Sequence, residues 1–516
     1  MTNPDRFLPW AMGSAAALFY LCFHSTFYNF DGVACAIAVE LGDLRHLAHG
    51  NHLAYGLVGL AWDRAWRLLG YGGPALLCLQ TLDSMLGGLG VGLFCMLLRR
   101  RLKLSAFPTA AASAGLALSY AWWLWSLEAQ VYMLGAVFLI LAADEALADQ
   151  PVPWKAGLYH GLAVLGHAGN AMFLFCALFL LREPAGRTTA GRWLRYLGAL
   201  AAAVLSAYAA AALCCVQPRD GNDLRLWLLG SAALGVDRSF QWHGGPPLAN
   251  LVSWLGMTLR IFADPVSLAP PWTYAGWTLA ALGLAAAGAG WQAGARIGRA
   301  CLLWLGSYAL LFYSWEPCTM VYRVTDLIPF WILAALFASK SPWRARALAS
   351  WVAVAGSFNG FFLIYPRTVP LNNREYQEAR WLGEATPPES WIIATGNAQV
   401  YVPYFAGRKP LNMRYFEGRP EALRQRLAQL RAQDLPIYAT ARMLALIGPA
   451  LLRTLQAEGL SQTARGPGGA LYRIGMNGNP SGSRQKKQNT APAAKNGPKG
   501  TGSDMRKLPR ATRPTP

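Results

Sequence analysis

The chain has 516 residues and is 54% hydrophobic but only 14% charged, against about 25% charged residues in soluble domains. Apolar runs recur between Phe7 and Ile364, each near the ~20 residues that a bilayer crossing needs, which excludes an ordinary soluble globular protein. The net charge of +20 does not point to nucleic acid: residues 477–516 alone hold nine Lys or Arg and one Asp, and the rest lies mainly in loops and in the C-terminal part, where positive charge reads as topology signal and attraction to anionic lipid.

The first run, 7–27, lacks a strongly basic start and an obvious cleavage site, so it is expected to remain as a spanning helix. It leads into FYNFDGVACAIAVELGDLRHLAHGNHLAY, residues 27–55, where Asp31, Glu40, Asp43, His46, His49 and His52 crowd beside apolar helices. Ionisable groups near hydrocarbon are costly and tend to be functional or paired. Two amphipathic stretches, 33–47 and 53–69, predict helices lying along the interface. Pro74 opens a second span that ends at Leu98, followed by Arg99, Arg100, Arg101 and Lys103, the strongest cytoplasmic marker in the chain.

That marker sets the N-terminus inside and the Asp31 connector outside. A third span, 107–125, returns outward, so the turn 126–130 shares the face of Asp31. A fourth span leads inward to Asp149 and Lys155. Residues 156–181 leave room for two shortened spans that turn outward at Gly166-His167-Ala168-Gly169-Asn170. The loop 182–195, with Arg182, Arg187, Arg192 and Arg195, is inside again. The span 193–216 opens a long outer segment, 217–271, with Asp220, Asp223, Asp237, Arg238, His243 and Arg260; within it 248–262 suits an interfacial or re-entrant helix. Spans follow at 272–290, 301–313, 324–337 and 347–365, with 315–323 a short outer loop, giving about eleven in all.

Residues 372–475 look soluble. Helices are expected at 375–384, 421–432 and 442–458, and strands at 391–395 and 437–440, an alternation that suggests a small α/β unit. The reading is a mainly α, polytopic transmembrane protein with three parts: a membrane part (1–371), a soluble α/β domain (372–476), and a basic tail (477–516) whose composition indicates disorder. All nine cysteines precede Asn372, without metal-binding spacing. Most read as small apolar core residues; for Cys35 and Cys318, both in expected outer loops, a disulfide is a further reading.

Polar features far apart in sequence thus share one membrane face: Asp31, the 49–55 segment, the Glu128–Tyr132 turn, His167–Asn170, and Trp315-Glu316-Pro317 with Tyr322-Arg323. Here the chain resembles the GT-C superfamily of polytopic glycosyltransferases, nearest the bacterial protein O-mannosyltransferase-like group. Asp31-Gly32 matches the start of that group's first motif. His49-Gly50-Asn51-His52-Leu53-Ala54-Tyr55 is a degenerate form of its second. Glu128-Ala129-Gln130-Val131-Tyr132 is similar to its third, and Gly166-His167-Ala168-Gly169-Asn170 to its fourth. Ser-Gly-Glu after the aspartate is replaced by Gly-Val-Ala, and a Pro-Pro pair is missing.

The resemblance implies a bacterial inner-membrane enzyme that moves a sugar from a polyprenyl-phosphate carrier to a protein, glycan or lipid acceptor at the extracytoplasmic face. Asp31 would be the general base, and Arg323, with Arg260 and His52 behind it, would hold the phosphate. Glu128 or Glu316 would bind sugar hydroxyls, with His49, Tyr55, Tyr132, His167, Asn170 and Tyr322 lining the site. No cofactor is specified; a divalent cation on His46, His49 and His52 is one reading, and plain interfacial histidines the other. Blander roles stand beside these: Asp31 as a helix cap, Glu40 and Asp43 on a solvated helix face, Trp122, Trp123 and Trp125 as an interfacial belt, Arg323 snorkelling. A non-catalytic transporter or flippase of lipid-linked glycans is the alternative function, though internal repeats and mid-membrane charges are missing; a non-catalytic scaffold is a third.

Overall fold

The computed structural model describes residues 3–182, 189–229, 245–291 and 295–475. Arg187, Asp237, Arg238, His243 and the tail from 477 fall outside these residues. Five helices among the described residues are long and apolar enough to cross a membrane: Ala75–Arg100, Thr189–Val216, Arg296–Trp315, Val321–Ala338 and Pro342–Thr368. Shorter apolar helices occupy Phe7–Leu21, Ala106–Leu118 and Ala168–Leu180. The chain is a multi-pass membrane protein.

Helix α1 (Asn3–Leu21) ends well before Phe27, and the connector that follows is helical in three pieces: α2 (Phe30–Leu41), α3 (Leu44–Leu47) and α4 (Leu53–Leu68). Helix α5 (Ala75–Arg100) is the spine, packing on α1, α2 and α4 and on the next three helices, α6 (Ala106–Leu118), α7 (Tyr120–Leu127) and α8 (Tyr132–Ala146). Small residues let α1 and α5 approach: a Cβ on Gly88 would stand 2.6 Å from the Ala17 nitrogen, and one on Gly13 3.1 Å from the Gly92 Cα. The third span, expected as one helix over 107–125, breaks at Ser119 into α6 and α7. The backbone N–H groups of Tyr120 and Ala121, free at the start of α7, donate instead to the carbonyls of Phe262 and Ile261. Trp122, Trp123 and Trp125 are buried, so they form core rather than the interfacial belt of the sequence reading.

Helix α9 (Pro153–Gly166) breaks at His167 before a short 3₁₀ turn and α10 (Leu174–Leu180), matching the expected pair of shortened segments. Then come α11 (Thr189–Ala211), α12 (Gly221–Leu229), α13 (Pro247–Arg260), α14 (Trp272–Gly290), α15 (Ala295–Trp315), α16 (Leu327–Ala338), α17 (Pro342–Phe358), the short α18 (Tyr365–Thr368) and α19 (Arg374–Ala385). Beyond α19 lies a five-stranded sheet, order β2-β1-β3-β5-β4: β1 (Trp391–Ala394), β2 (Lys409–Asn412), β3 (Ile437–Thr440), β4 (Leu460–Gly466), β5 (Gly469–Ile474). Strand β1 is parallel to β2 and β3, and β5 is antiparallel to β3 and β4. Helix Pro420–Ala432 crosses between β2 and β3 and buries Leu423, Leu427 and Leu430 against Ile393 and Ile437. The single helix expected at 442–458 is split into Ala441–Ala445 and Pro449–Ala457, because Gly448-Pro449 cannot continue it. Cys35 and Cys318 are free thiols, which removes the disulfide reading.

The connectors that join the first helices near Asp31 hang from one turn of α5. Gln80 Nε2 donates to the carbonyls of Ser25 (2.7 Å) and Leu127 (3.1 Å). Ser84 Oγ donates to Ser126 O at 2.8 Å. Asp83 Oδ2 accepts both the Tyr55 hydroxyl (2.6 Å) and the Gln130 N–H (2.8 Å). All three side chains are buried. Replacing Asp83 with Ala strands two buried donors, at about 1–3 kcal/mol each. Detergent-purified Asp83→Ala is therefore expected to unfold at a clearly lower temperature, while Asp83→Asn, which keeps a carbonyl acceptor, loses less.

Candidate active site

Asp31 occupies the first turn of α2. The cap of that helix is Asn29, whose side chain accepts the Asp31 N–H at 2.9 Å; the capping role considered for Asp31 is thus taken by its neighbour. The Asp31 carboxylate makes no hydrogen bond or ion pair among the described residues. It opens to solvent on one side, while protein crowds the others and desolvation raises its pKa. The next residue, Gly32, presses α2 onto the 128–131 turn: a Cβ there would overlap the Ala129 carbonyl.

Around Asp31 the chain gathers residues from three distant segments. Its charge reaches Cys35 on its own helix, Tyr132 at the start of α8, and Tyr322 and Glu316 beyond α15. The Tyr132 ring lies 4.9 Å from His167 and 5.9 Å from Tyr322, centroid to centroid. Tyr322 is held between Trp315 (4.9 Å) and Phe312 (5.7 Å) in stacked pairs. Glu316 is buried, and its pKa rises through desolvation, with the Asp31 charge adding to this and hydrogen bonds from Thr319 and Tyr322 opposing it.

His49 and His52 stack at 4.2 Å, beside His167. Burial depresses all three pKa values, that of His167 to about 4; repulsion from His46 adds to this at His49, from His49 and His167 at His52, and from His49 at His167. Burial thus favours the neutral form of all three rings. Among the described residues no group of three or more His, Cys, Asp or Glu is spaced to hold a metal. Tyr55 sits beneath the site on Asp83, and Asn170 is built into the frame: it donates to Ala163 O, accepts from Tyr308, and its carbonyl meets the buried His160.

Glu40 and Asp43 are not merely solvated. Glu40 accepts the Ala75 N–H and the Tyr404 hydroxyl, both at 2.9 Å. Asp43 caps α3 and pairs with the His46 ring at 2.6 Å, while Arg45 instead pairs with Asp223.

A cavity of about 560 Å³ is lined by Asn29 and Phe30, the residues just before Asp31 in the connector, and by Tyr120, Glu128, Arg260, Arg367 and Arg374; Asp31 itself is not part of its lining. The sequence reading missed Arg367 and Arg374. Arg367 stands 3.7 Å from Glu128, its guanidinium lies over the Phe27 ring, and its carbonyl accepts from Thr26. Arg374 is exposed. Arg260 lines the cavity in a bidentate pair with Asp264, both contacts at 2.7 Å. Glu128 is buried, and desolvation pushes its pKa up to about 7, against the pull of Arg367 and a hydrogen bond from Ser25.

Arg323 lies apart from this cavity. It is buried, bonded to Asp326 and to Thr258 Oγ1 (2.9 Å), and stacked over Trp254 at 4.9 Å. Its guanidinium is committed within the protein, so the cations facing the cavity are Arg260, Arg367 and Arg374.

The part after residue 371 completes the walls. Asn373 and Tyr401 line the cavity; Asn373 Nδ2 donates to Thr26 O at 2.6 Å, and the Tyr401 hydroxyl donates to the Tyr28 carbonyl.

No family model matches the chain, and no curated protein matches it. Its fold is similar to that of ArnT from Cupriavidus metallidurans bound to undecaprenyl phosphate: TM-score 0.60, 13% identity, covering 92% of this chain and 98% of that one. The apo state of ArnT aligns with a TM-score of 0.59 and 12% identity over 90% and 97% of the two chains. The oligosaccharyltransferase of Archaeoglobus fulgidus aligns at 0.48 and 12% over 91% and 74%.

The raised Glu128 pKa has a measurable sign. A carboxyl whose folded pKa lies above its unfolded value disfavours the folded state once ionised, so stability is lost as pH rises from about 4.5 to about 7. The stability difference between Glu128→Gln and wild type should therefore grow in favour of the variant across that window, to roughly 3 kcal/mol at most. Denaturation followed at stepped pH measures it.

Proposed function

We propose that this protein is a GT-C-type membrane glycosyltransferase that moves a sugar from a polyprenyl-phosphate carrier to a protein, glycan or lipid acceptor on the extracytoplasmic side of a bacterial inner membrane. The observation that carries the reading is the unpaired Asp31 carboxylate in a connector whose preceding residues, Asn29 and Phe30, line a cavity faced by three arginines. The likeness to ArnT, solved with undecaprenyl phosphate, supports a polyprenyl-phosphate donor. Within the superfamily, the motifs support the protein O-mannosyltransferase-like group as the finer assignment.

In this mechanism Asp31 takes the proton from the acceptor hydroxyl as its oxygen attacks the anomeric carbon. The bond from that carbon to the phosphate oxygen breaks, and the polyprenyl phosphate leaves with its electron pair. Desolvation moves the Asp31 pKa toward the working pH, as suits a general base. Arg367 and Arg374, with Arg260 behind them, stabilise the phosphate charge, a role that passes to them from Arg323. Glu316 and Tyr322 hold sugar or acceptor hydroxyls. Glu128 keeps Arg367 aimed, and His167 packs against Tyr132.

A single-turnover assay with a polyprenyl-phosphate sugar, together with the glycan and glycolipid profile of cells, tests this. Asp31→Asn should lower transfer by about 10²–10⁴-fold while leaving donor binding near wild type. Arg367→Ala should instead weaken donor binding, by about ten-fold or more. A folded Asp31→Asn with an unchanged profile would reject the assignment and turn attention to a carrier of lipid-linked glycans.

A further inference from the structure

Helices α1 and α5 carry a second cavity, remote from Asp31. It measures about 510 Å³ and runs along the seam of α1 and α5, with Trp10 and Ser14 on one wall and Met85, Leu89 and Met96 on the other. Its lining is almost wholly apolar, and it lies open to the surrounding hydrocarbon: Trp10, Met85 and Leu89 are 71%, 48% and 43% exposed. From Met85 to Met96 it extends for about 17 Å at 1.5 Å per residue, close to the depth of one leaflet of a ~30 Å hydrocarbon core.

One end of the groove is basic. Arg99 and Arg100 close it. In the run that follows α5, Arg101 is neutralised by Asp144 at 2.7 Å and Lys103 faces Asp149 at 3.5 Å. Arg100 is exposed, has no acidic partner among the described residues, and rests its guanidinium 3.8 Å from the Met96 sulfur, over the groove mouth. An apolar slot one leaflet deep, ending in such a guanidinium, has the complement of a lipid with an anionic head.

We propose that this groove holds one anionic diacyl phospholipid of the leaflet on the Arg99–Lys103 side, an acyl chain between α1 and α5 and the phosphate on Arg100. The site is independent of the Asp31 cleft, which lies at the other end of α1. Bound there, the lipid lies along the outside of the close α1–α5 contact that Gly13, Gly88 and Gly92 permit.

Native mass spectrometry of the full chain, purified in detergent and offered palmitoyl-oleoyl phosphatidylglycerol, the matching phosphatidylcholine, or undecaprenyl phosphate, tests this. Wild type should retain one phosphatidylglycerol about five-fold better than phosphatidylcholine, the size expected for one basic side chain near an anionic head group. Arg100→Gln should erase that preference, and Ser14→Trp, at an exposed position inside the groove, should remove the retained lipid whatever its head. Equal retention of both phospholipids by wild type, or an intact preference in Arg100→Gln, overturns the proposal. So does a Ser14→Trp variant that loses undecaprenyl phosphate but keeps phosphatidylglycerol, since the groove would then belong to the carrier.

Discussion

Wherever the chain of a membrane protein leaves its helices, each bare N–H and C=O must find a partner inside the protein. Here the connectors after α1 and α7 are bare at one level, and α5 answers with Gln80, Asp83 and Ser84 in little more than one turn. Those bonds fix Ser25, Ser126, Leu127 and Gln130 against a single rigid rod, and Tyr55 is tied in through Asp83. The two connectors that flank the Asp31 cluster are therefore both referenced to α5. A site assembled from parts this far apart in sequence keeps its geometry because its loops share that anchor.

The same principle operates on the other side of the connector. The chain after residue 371 reaches down to take up Thr26 and Tyr28 with Asn373 and Tyr401, and Tyr404 bridges Glu40 and the Leu76 N–H. The first connector is thus clamped between α5 and the sheet-bearing part, with α2 packed on Tyr401 and Val400. Charge follows from this placement. The cavity draws one arginine from α13, one from the end of the last spanning segment and one from the start of α19, so three elements must dock correctly before its potential exists.

Hydropathy made the class legible, because long apolar runs with basic ends admit few alternatives. The broken pair near His167 was readable from the crowding of Gly and Asn in 166–170, and β1 and β3 from their buried aliphatic runs. The split of the third span at Ser119 was not, since its cause, the Phe262 and Ile261 carbonyls, lies far away in sequence. The short edge strand β2 and the polar, largely exposed β4 carried no strand pattern in the sequence. Motif spacing pointed to Asp31, Glu128, Tyr132, His167, Glu316 and Tyr322; in the structure Asp31 couples to Tyr132, Glu316 and Tyr322, while Glu128 lines the cavity. Arg323 and Arg367 look alike in sequence, each an arginine near the end of an apolar run; only packing reveals that Asp326 and Trp254 consume the first. Asp83 was passed over as one charge inside a span, although a lone carboxylate at such depth is itself a signal.

Gly32 performs no chemistry, yet the contact between its α-carbon face and the Ala129 carbonyl sets how closely α2 can seat. Any side chain there would lever the helix away and carry Asp31 with it. The most damaging conservative replacement in this connector can therefore fall on a residue that never meets a substrate. Apart from Asp31 itself, tolerance to change along the segment should follow steric clearance more than polarity.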